Sequence, residues 1–366
     1  MNSYDITKDD SNFITDSALP QDLRWFNCQQ DPFEVLGLAV CAGQRFWRLP
    51  EGIIHQVNDG VSSLAKHTAG GRIRFRTDSS SVALRVKLLN TGAMSHMPLS
   101  GQSGCDIYLG SGKQISYKMT AMPASAEVVA YEAICYKSDL MEDVTVNLPL
   151  YNGVVAVYIG LNADSTTEKP TPYRVKLPVV YYGSSITQGG CASRPGNSYQ
   201  GILSRWLDAD HLNLGFSGSA KGERVLAEYI ANLSMSAFVL DYDYNATTIE
   251  ELEATHEPFF QIISNANPAL PIIMVSKPDF ERESPDQVYN VHNSRIRREI
   301  IRRTYENAKA SGRENVWFVD GETLFGTKGR DSCTVDGVHP NDLGFMRMAE
   351  GLYPVLKQAL GLSCAS

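Results

Sequence analysis

The alternation of hydrophobic and polar positions divides the chain into two parts. From about residue 45 to 162, short apolar runs alternate with polar positions between turn residues, which is typical of antiparallel sheets with one solvated face. The pattern predicts strands at 46–49, 72–77, 82–88, 105–110, 114–119, 128–136, 144–151 and 154–161. No good helical stripe interrupts them, and Asn152-Gly153 predicts a type I′ hairpin between the last two. We therefore expect a β-sandwich, jelly-roll-like, over residues 20–163.

The second part alternates strand and helix patterns after a polar connector at 164–178 that holds three prolines. The predicted strands are at 179–183, 211–216, 237–243, 271–278 and 316–321. The predicted helices are at 198–209, 223–233 and 248–266, with one beginning at Ser284 and one running from about Pro340 to Leu360. Continuous apolar strands separated by helices indicate a parallel sheet covered on both faces. We expect a three-layer α/β/α domain with a five-stranded parallel sheet over residues 175–366.

Ligands of such sheets bind outside the carboxyl ends of the strands, so the residues there carry the candidate chemistry. Ser184 and Ser185 follow the first strand of the second part. A serine nucleophile needs a base within hydrogen-bond reach and a carboxylate behind that base. Asp336 and His339, three residues apart before the last helix, can supply both. The other interpretation is that Asp336 caps that helix and His339 is an ordinary surface histidine.

A tetrahedral intermediate also needs N–H donors for its negative oxygen. Gly218 follows the second strand of this sheet, where a backbone N–H can approach closely, and Asn245 follows the third with a side-chain amide. Either residue alone is more typical of a turn or a helix cap. The functional interpretation rests on four such elements arriving in order at one edge of one sheet.

The four blocks together resemble the SGNH (GDSL-type) hydrolase superfamily. They are Gly183-Ser184-Ser185-Ile186-Thr187-Gln188-Gly189, Asn213-Leu214-Gly215-Phe216-Ser217-Gly218, Asn245 and Asp336-Gly337-Val338-His339-Pro340. The resemblance covers about 178–360 and implies that Ser185 is the nucleophile, with Asp336 and His339 completing a triad. It also implies an oxyanion hole made by the N–H of Ser185, Gly218 and Asn245. The third block departs from the family pattern Gly-x-Asn-Asp, because Asp243 and Ala246 flank Tyr244-Asn245.

A second resemblance lies in the first part of the chain. Gly104-Cys105-Asp106-Ile107-Tyr108 is similar to the Gly-x-Asp-Leu-Tyr signature of a domain that precedes a bacterial subgroup of these hydrolases. Related two-domain enzymes include carbohydrate O-acetylesterases. Asp106 and Tyr108 are either ordinary residues of a sandwich strand or part of a surface that reaches the active site and helps to shape it.

Composition excludes several other classes. The net charge of −8 argues against a non-specific nucleic-acid binder and against a polybasic membrane-surface protein. No apolar run is long enough for a membrane span and no signal peptide is visible, so a cytoplasmic protein is expected. The seven cysteines include no Cys-x-x-Cys pair, and His55, His67, His96, His211 and His292 have no ligand-like spacing. No metal and no organic cofactor are expected.

The sequence thus predicts a two-domain serine esterase that hydrolyses small acyl esters, with acetyl as the favoured acyl group and an acetylated oligosaccharide as the favoured partner. Two alternatives stay open: an esterase or thioesterase for another small acyl donor, and a carbohydrate-binding protein with an inactive hydrolase domain. A homo-oligomer is also left open.

Overall fold

The computed structural model describes residues 19–20, 22–278 and 291–362. Its N-terminal part consists of strands and a few short helices. The strands are β1 (Leu23–Asn27), β2 (Glu34–Leu36), β3 (Val40–Ala42), β4 (Arg45–Trp47), β5 (Arg72–Thr77), β6 (Ser81–Leu88), β7 (Cys105–Leu109), β8 (Ser116–Ala121), β9 (Ala130–Tyr136), β10 (Glu142–Asn147), β11 (Val154–Asn162) and β12 (Thr167–Glu168). One antiparallel sheet has the order β1-β11-β6-β9, the other β12-β5-β10-β7-β8 with β2 also on β5, and β3 pairs with β4.

The two larger sheets pack face to face, as the alternating pattern predicts. Ile73 and Phe75 of β5 lie in one core with Val82, Leu84 and Val86 of β6. These residues are spaced two apart, so each strand turns one side to the core and the other to water or to a neighbouring segment. The predicted β-sandwich is confirmed.

Two details of the sequence-based prediction are wrong. Short helices do interrupt the strands: α1 (Glu51–Ile54), α2 (Asp59–Leu64) and α3 (Leu99–Gln102). Each is at most six residues long, too short to show a helical period. Asn152 and Gly153 both have positive φ, as a type I′ turn requires, but β10 and β11 belong to different sheets. The turn therefore carries the chain from one sheet to the other and closes no hairpin.

The C-terminal part is a five-stranded parallel sheet flanked by helices. Its strands are β13 (Val175–Gly183), β14 (Ala209–Gly215), β15 (Ala237–Asp241), β16 (Ile272–Val275) and β17 (Val316–Val319), in the order β14-β13-β15-β16-β17. Its helices are α4 (Ser185–Gln188), α5 (Tyr199–Leu207), α6 (Arg224–Ala231), α7 (Ile249–Ala266), α8 (Val291–Ala310), α9 (Gly321–Leu324) and α10 (Asp342–Ala359). The predicted α/β domain is confirmed, whereas the predicted helix start at Ser284 lies outside the described residues.

The connector predicted at 164–178 is not a free linker. β12 pairs with β5 of the sandwich, and β13 already begins at Val175, beside Ala209 of β14. The connector therefore contributes residues to a sheet of each domain.

The two domains also share hydrophobic cores. Val180 and Tyr182 of β13 face one side of the parallel sheet, where Leu49, Ile54 and Val61 of the N-terminal domain join the core. Val179 and Tyr181 face the other side, where Met97, Leu150 and Tyr151 join. Within the described ranges, every helix is too short or too polar to cross a membrane.

Candidate active site

Two adjacent serines follow β13, and the fold gives them different environments. Ser184 caps α4: its Oγ accepts a hydrogen bond from the N–H of Ile186 at 3.2 Å, and the residue is fully buried. Ser185 occupies the first position of α4 and is partly exposed. Its N–H therefore has no acceptor within the helix. Ser185, and not Ser184, presents a hydroxyl at the edge of the sheet.

The hydroxyl of Ser185 is hydrogen-bonded to a histidine–aspartate pair. Ser185 Oγ lies 2.9 Å from His339 Nε2, and His339 Nδ1 lies 2.7 Å from Asp336 Oδ2. An ionised carboxylate only accepts, so Nδ1 carries the proton and Nε2 is left to accept from the serine. Burial opposes ionisation of Asp336, but hydrogen bonds from the backbone and the ring of His339 hold the pKa of that carboxyl below its usual value.

The alternative interpretation, in which Asp336 caps the last helix and His339 is an ordinary surface histidine, does not fit the structure. The cap of α10 is Asn341, whose side chain accepts from the N–H of Gly344 at 3.2 Å. Asp336 instead accepts from the backbone N–H groups of Val338 at 3.0 Å and His339 at 2.8 Å. The carboxylate thus fixes both the turn that carries the histidine and the orientation of its ring.

The strands on either side of β13 bring up the two other predicted residues. Gly218 follows β14 and Asn245 follows β15. The N–H of Gly218 donates to Asn245 Oδ1 at 3.1 Å, while Asn245 Nδ2 donates to the carbonyl of Phe216 at 2.8 Å. An amide nitrogen has a second hydrogen to donate. The structure therefore joins Gly218 and Asn245 through a direct contact that the sequence did not indicate.

Gly218 leaves open space above this pair. Its φ is +64°, which side-chain-bearing residues rarely adopt, and a Cβ built there would meet nothing within 4 Å. A ligand atom can therefore occupy the space where a side chain at this position would stand.

The altered third block has a structural explanation. Asp243, where the family pattern has glycine, is fully buried, and its Oδ2 accepts from the N–H of Lys277 at 3.0 Å. Its backbone carbonyl accepts from Arg297 Nη1 at 2.7 Å. The loop that carries Asn245 is thereby tied to the segment after β16 and to α8.

The N-terminal domain contacts the segment that follows the nucleophile. Asp106 of β7 is fully buried and accepts from Arg194 Nη1 at 3.0 Å and from the N–H of Gly196 at 2.8 Å, while Tyr108 Oη also contacts Arg194. Asn147 Nδ2 donates to the other carboxylate oxygen of Asp106 at 2.8 Å. The residues thus lie in a sandwich strand and secure a turn of the catalytic domain. That this surface helps to shape the active site stays a prediction.

A buried arginine makes a second connection between the domains. Arg48 donates to the carbonyls of His67 at 3.0 Å and Asn213 at 3.1 Å, and its guanidinium lies 4.6 Å from the ring centre of Phe216. Burial lowers the pKa of Arg48 to about 9. The side chain supports the end of β14, from which the chain continues to Gly218. No motif marks Arg48 or Arg194, so sequence reasoning missed both.

Sequence reasoning also missed two residues beside the histidine. The ring of His96, from the loop between β6 and α3, lies 5.3 Å from the ring of His339, centre to centre. Cys191 follows α4 and is 3% exposed. Burial, followed by the charge of Asp336, raises the pKa of the Cys191 thiol to about 12. The thiol is therefore protonated at neutral pH.

Comparison with protein families gives two matches that divide the chain as the structure does. The sequence model of the GDSL-like Lipase/Acylhydrolase family matches residues 176–357. The model described as the N-terminus of Esterase_SGNH_hydro-type, named GxDLY, matches residues 23–167. No curated protein matches the chain.

Solved structures share the whole two-domain arrangement. A protein of Bacteroides ovatus described as a GDSL-like lipase is 27% identical, with a TM-score of 0.83 over 93% of this chain and 99% of that one. A salicylyl-acyltransferase from a tetracycline biosynthetic pathway is 20% identical, with a TM-score of 0.75 over 94% and 99%. An acetyl xylan esterase of Butyrivibrio proteoclasticus is 14% identical, with a TM-score of 0.57 over 93% and 99%. The last two likenesses concern the fold alone.

Proposed function

Because the chain belongs to the GDSL-like lipase/acylhydrolase family, the SGNH hydrolases, and is a carboxylic ester hydrolase, we propose that it removes small acyl groups, acetyl foremost, from carbohydrate through an acyl-enzyme on Ser185. The observation that carries the mechanism is the chain of hydrogen bonds from Ser185 Oγ through His339 to Asp336, at 2.9 and 2.7 Å.

In the first half-reaction, Ser185 Oγ attacks the ester carbonyl carbon as His339 Nε2 takes its proton. Asp336 holds the ring by Nδ1 and stabilises the imidazolium that forms. The carbonyl oxygen becomes an oxyanion, which the N–H of Ser185 and the second hydrogen of the Asn245 amide stabilise. The N–H of Gly218 joins them when it exchanges its hydrogen bond to Asn245 Oδ1 for one to the oxyanion. His339 then gives its proton to the departing alcohol oxygen, and the acyl group stays on Ser185.

In the second half-reaction, water replaces the alcohol. His339 Nε2 removes a proton from the water, the hydroxide adds to the acyl carbon, and a second oxyanion forms at the same donors. When the intermediate collapses, the proton returns to Ser185 Oγ and the carboxylic acid leaves. No metal or organic cofactor enters these steps.

Two features support the choice of substrate. Ser185 is partly exposed and Gly218 is exposed, so the site is an open edge that an alcohol as bulky as a sugar can approach. The acetyl xylan esterase with the same two-domain fold supports an acetylated carbohydrate. Assays on acetylated oligosaccharides test this substrate class directly.

The experiment compares p-nitrophenyl acetate with the octanoate ester and then assays a panel of acetylated oligosaccharides by mass spectrometry. We expect acetate turnover, little octanoate turnover and loss of acetyl groups from at least one oligosaccharide. An acid-quenched reaction should show the acetyl adduct on the peptide that contains Ser185.

The alternatives give different results in the same experiment. Preference for the octanoate ester would indicate an esterase for another acyl donor. Absence of turnover on every ester, with retained oligosaccharide binding, would indicate an inactive hydrolase domain.

A further inference from the structure

Three side chains that commonly bind metal ions converge beside the nucleophile, and the proposed reaction uses only one of them, His339, as its base. His96 comes from the N-terminal domain, Cys191 from the segment after α4, and His339 from the turn before α10. One nitrogen or sulfur atom of each lies within 4.8 Å of those of the other two. The convergence arises only where the two domains meet.

The donor set suits a particular class of ion. Two imidazoles and a thiolate are preferred by Zn²⁺ and by the chemically similar Co²⁺ and Cd²⁺, with water as the fourth ligand. At the bond lengths of zinc, tetrahedral donors stand about 3.5 Å apart. Donors that already lie within 4.8 Å reach that spacing through a displacement of about 1 Å, which side-chain rotation can supply.

Charge and access also fit a divalent cation. On binding, the Cys191 thiol releases its proton to solvent, and the thiolate bonds to the metal. The carboxylate of Asp336 lies 2.7 Å from His339 Nδ1, so a negative group stands directly beside the ligand set. His96 and His339 are each partly exposed, which leaves a path from solvent to the buried sulfur.

Metal binding by His339 must disrupt the hydrogen bonds that join Ser185, His339 and Asp336. Both ring nitrogens of His339 are in use: Nε2 faces Ser185 at 2.9 Å and Nδ1 faces Asp336 at 2.7 Å. An ion that takes Nε2 removes the base from the serine, and an ion that takes Nδ1 removes the carboxylate from the base. Whichever nitrogen is taken, the serine loses its activation.

We propose that His96, Cys191 and His339 form an inhibitory site for Zn²⁺ or a chemically similar divalent ion, which switches the esterase off by capturing the catalytic imidazole. The existence of the site is independent of the reaction, whereas its effect on turnover rests on the proposed function.

A binding measurement that needs no activity tests the site itself. Co²⁺ is titrated into the Ser185→Ala protein, which keeps all three ligands. We expect one equivalent to produce the near-ultraviolet absorption of a thiolate–cobalt bond. The band should be absent from Cys191→Ser. In His96→Ala, the affinity for Co²⁺ should fall at least about tenfold. Cys41→Ser and His55→Ala are the matched controls, and both should keep it.

Cys191 has a φ of +75°, a strained value for a side-chain-bearing residue, so Cys191→Gly relaxes the backbone and serves as a second variant. A band that persists in both Cys191 variants, or no band at all, would overturn the proposed site.

The effect on turnover is measured with p-nitrophenyl acetate. We expect Zn²⁺ to inhibit the wild type reversibly, with full recovery after a chelator is added. Cys191→Ser and His96→Ala should keep near wild-type rates in chelator and need at least about tenfold more Zn²⁺ for half inhibition. Superimposed inhibition curves would refute the inhibitory role. If no ester is turned over at all, the proposed function fails, and the cobalt titration still decides the metal site.

Discussion

At the scale of single residues, Ser184 and Ser185 show how neighbours of identical chemistry receive different tasks. The helix that begins between them uses the first hydroxyl as a cap and leaves the second beside His339. The sequence alone carries no such distinction, since Gly-Ser-Ser offers two candidates. The resemblance selected Ser185, and the contacts of the two hydroxyls agree with that selection.

We therefore predict that Ser185→Ala lowers kcat by about 10⁴-fold or more, because the nucleophile is lost. Ser184→Ala should keep substantial activity, since it removes only a cap worth about 1 kcal/mol. Steady-state kinetics on p-nitrophenyl acetate, with melting temperatures to verify folding, measure both. An inactive Ser184 variant beside an active Ser185 variant would show that the nucleophile is misassigned.

Asn245 allows a second prediction at this scale. Its side chain is held between the N–H of Gly218 and the carbonyl of Phe216, so it is positioned before substrate arrives. Asn245→Ala should lower kcat by about 10²- to 10³-fold with a smaller change in KM, because the amide acts mainly on the developing oxyanion. Asn232→Ala, at a surface amide, is the control. An effect confined to KM would mean that Asn245 binds substrate uniformly and that another donor serves the oxyanion.

At the scale of elements, β7 and the turn after α4 form one unit across the domain boundary. Burial raises the pKa of Asp106, and hydrogen bonds and charge from Asn147, Arg194 and Gly196 oppose that rise. The fully buried carboxylate is tolerated because all of these groups meet it. The turn from 194 to 196 is thereby secured by the other domain.

Asp106→Ala should reduce the free energy of unfolding by about 3 kcal/mol, since it leaves Arg194 and a buried N–H without their partner. It should also reduce kcat/KM, because the loosened segment continues from the helix of Ser185. Urea unfolding and ester kinetics measure the two effects. Asp139→Ala, at an exposed carboxylate of the same domain, should change neither. Wild-type stability for the Asp106 variant would refute this role of β7.

Elements of one or two turns were beyond sequence reasoning. α3 is four residues long, and its Gly101 lies so close to the backbone of Ala192 that a Cβ would come within 2.0 Å of the carbonyl oxygen. Such a helix forms because the other domain packs on it. The long strands and helices of the parallel sheet, by contrast, have enough residues for their period to be read.

At the scale of the whole molecule, the two domains behave as parts of one folded unit. Leu49, Ile54 and Val61 fill one core beneath the parallel sheet, and Leu150 and Tyr151 enter the other. Arg48 donates to carbonyls on both sides of the boundary. Removing the sandwich would expose apolar surface and unpaired carbonyls together.

A fragment that starts near Pro172 should therefore be poorly soluble or lose most activity even on p-nitrophenyl acetate. The surface uncovered within one chain is typically roughly 600–1,500 Å². Sedimentation, circular dichroism and kcat/KM of the fragment measure this, with the full-length chain as reference. A soluble fragment with full kcat/KM would contradict this prediction and would indicate that the N-terminal domain serves carbohydrate binding alone.

The amino-acid order was enough to predict the longer strands and helices, the change from an all-strand part to an alternating part, and the residues at the carboxyl ends of the parallel strands. These follow from local periods and from the rule that parallel strands end at one edge. The folded structure was needed to show that β10 and β11 lie in different sheets and that the N–H of Gly218 donates to Asn245. It was needed also to show that Arg48 and Arg194 connect the two domains, and that His96 and Cys191 lie beside His339. Those contacts join residues far apart in the chain, some of them across the domain boundary. They depend on side-chain packing, which produces no periodic pattern in the sequence.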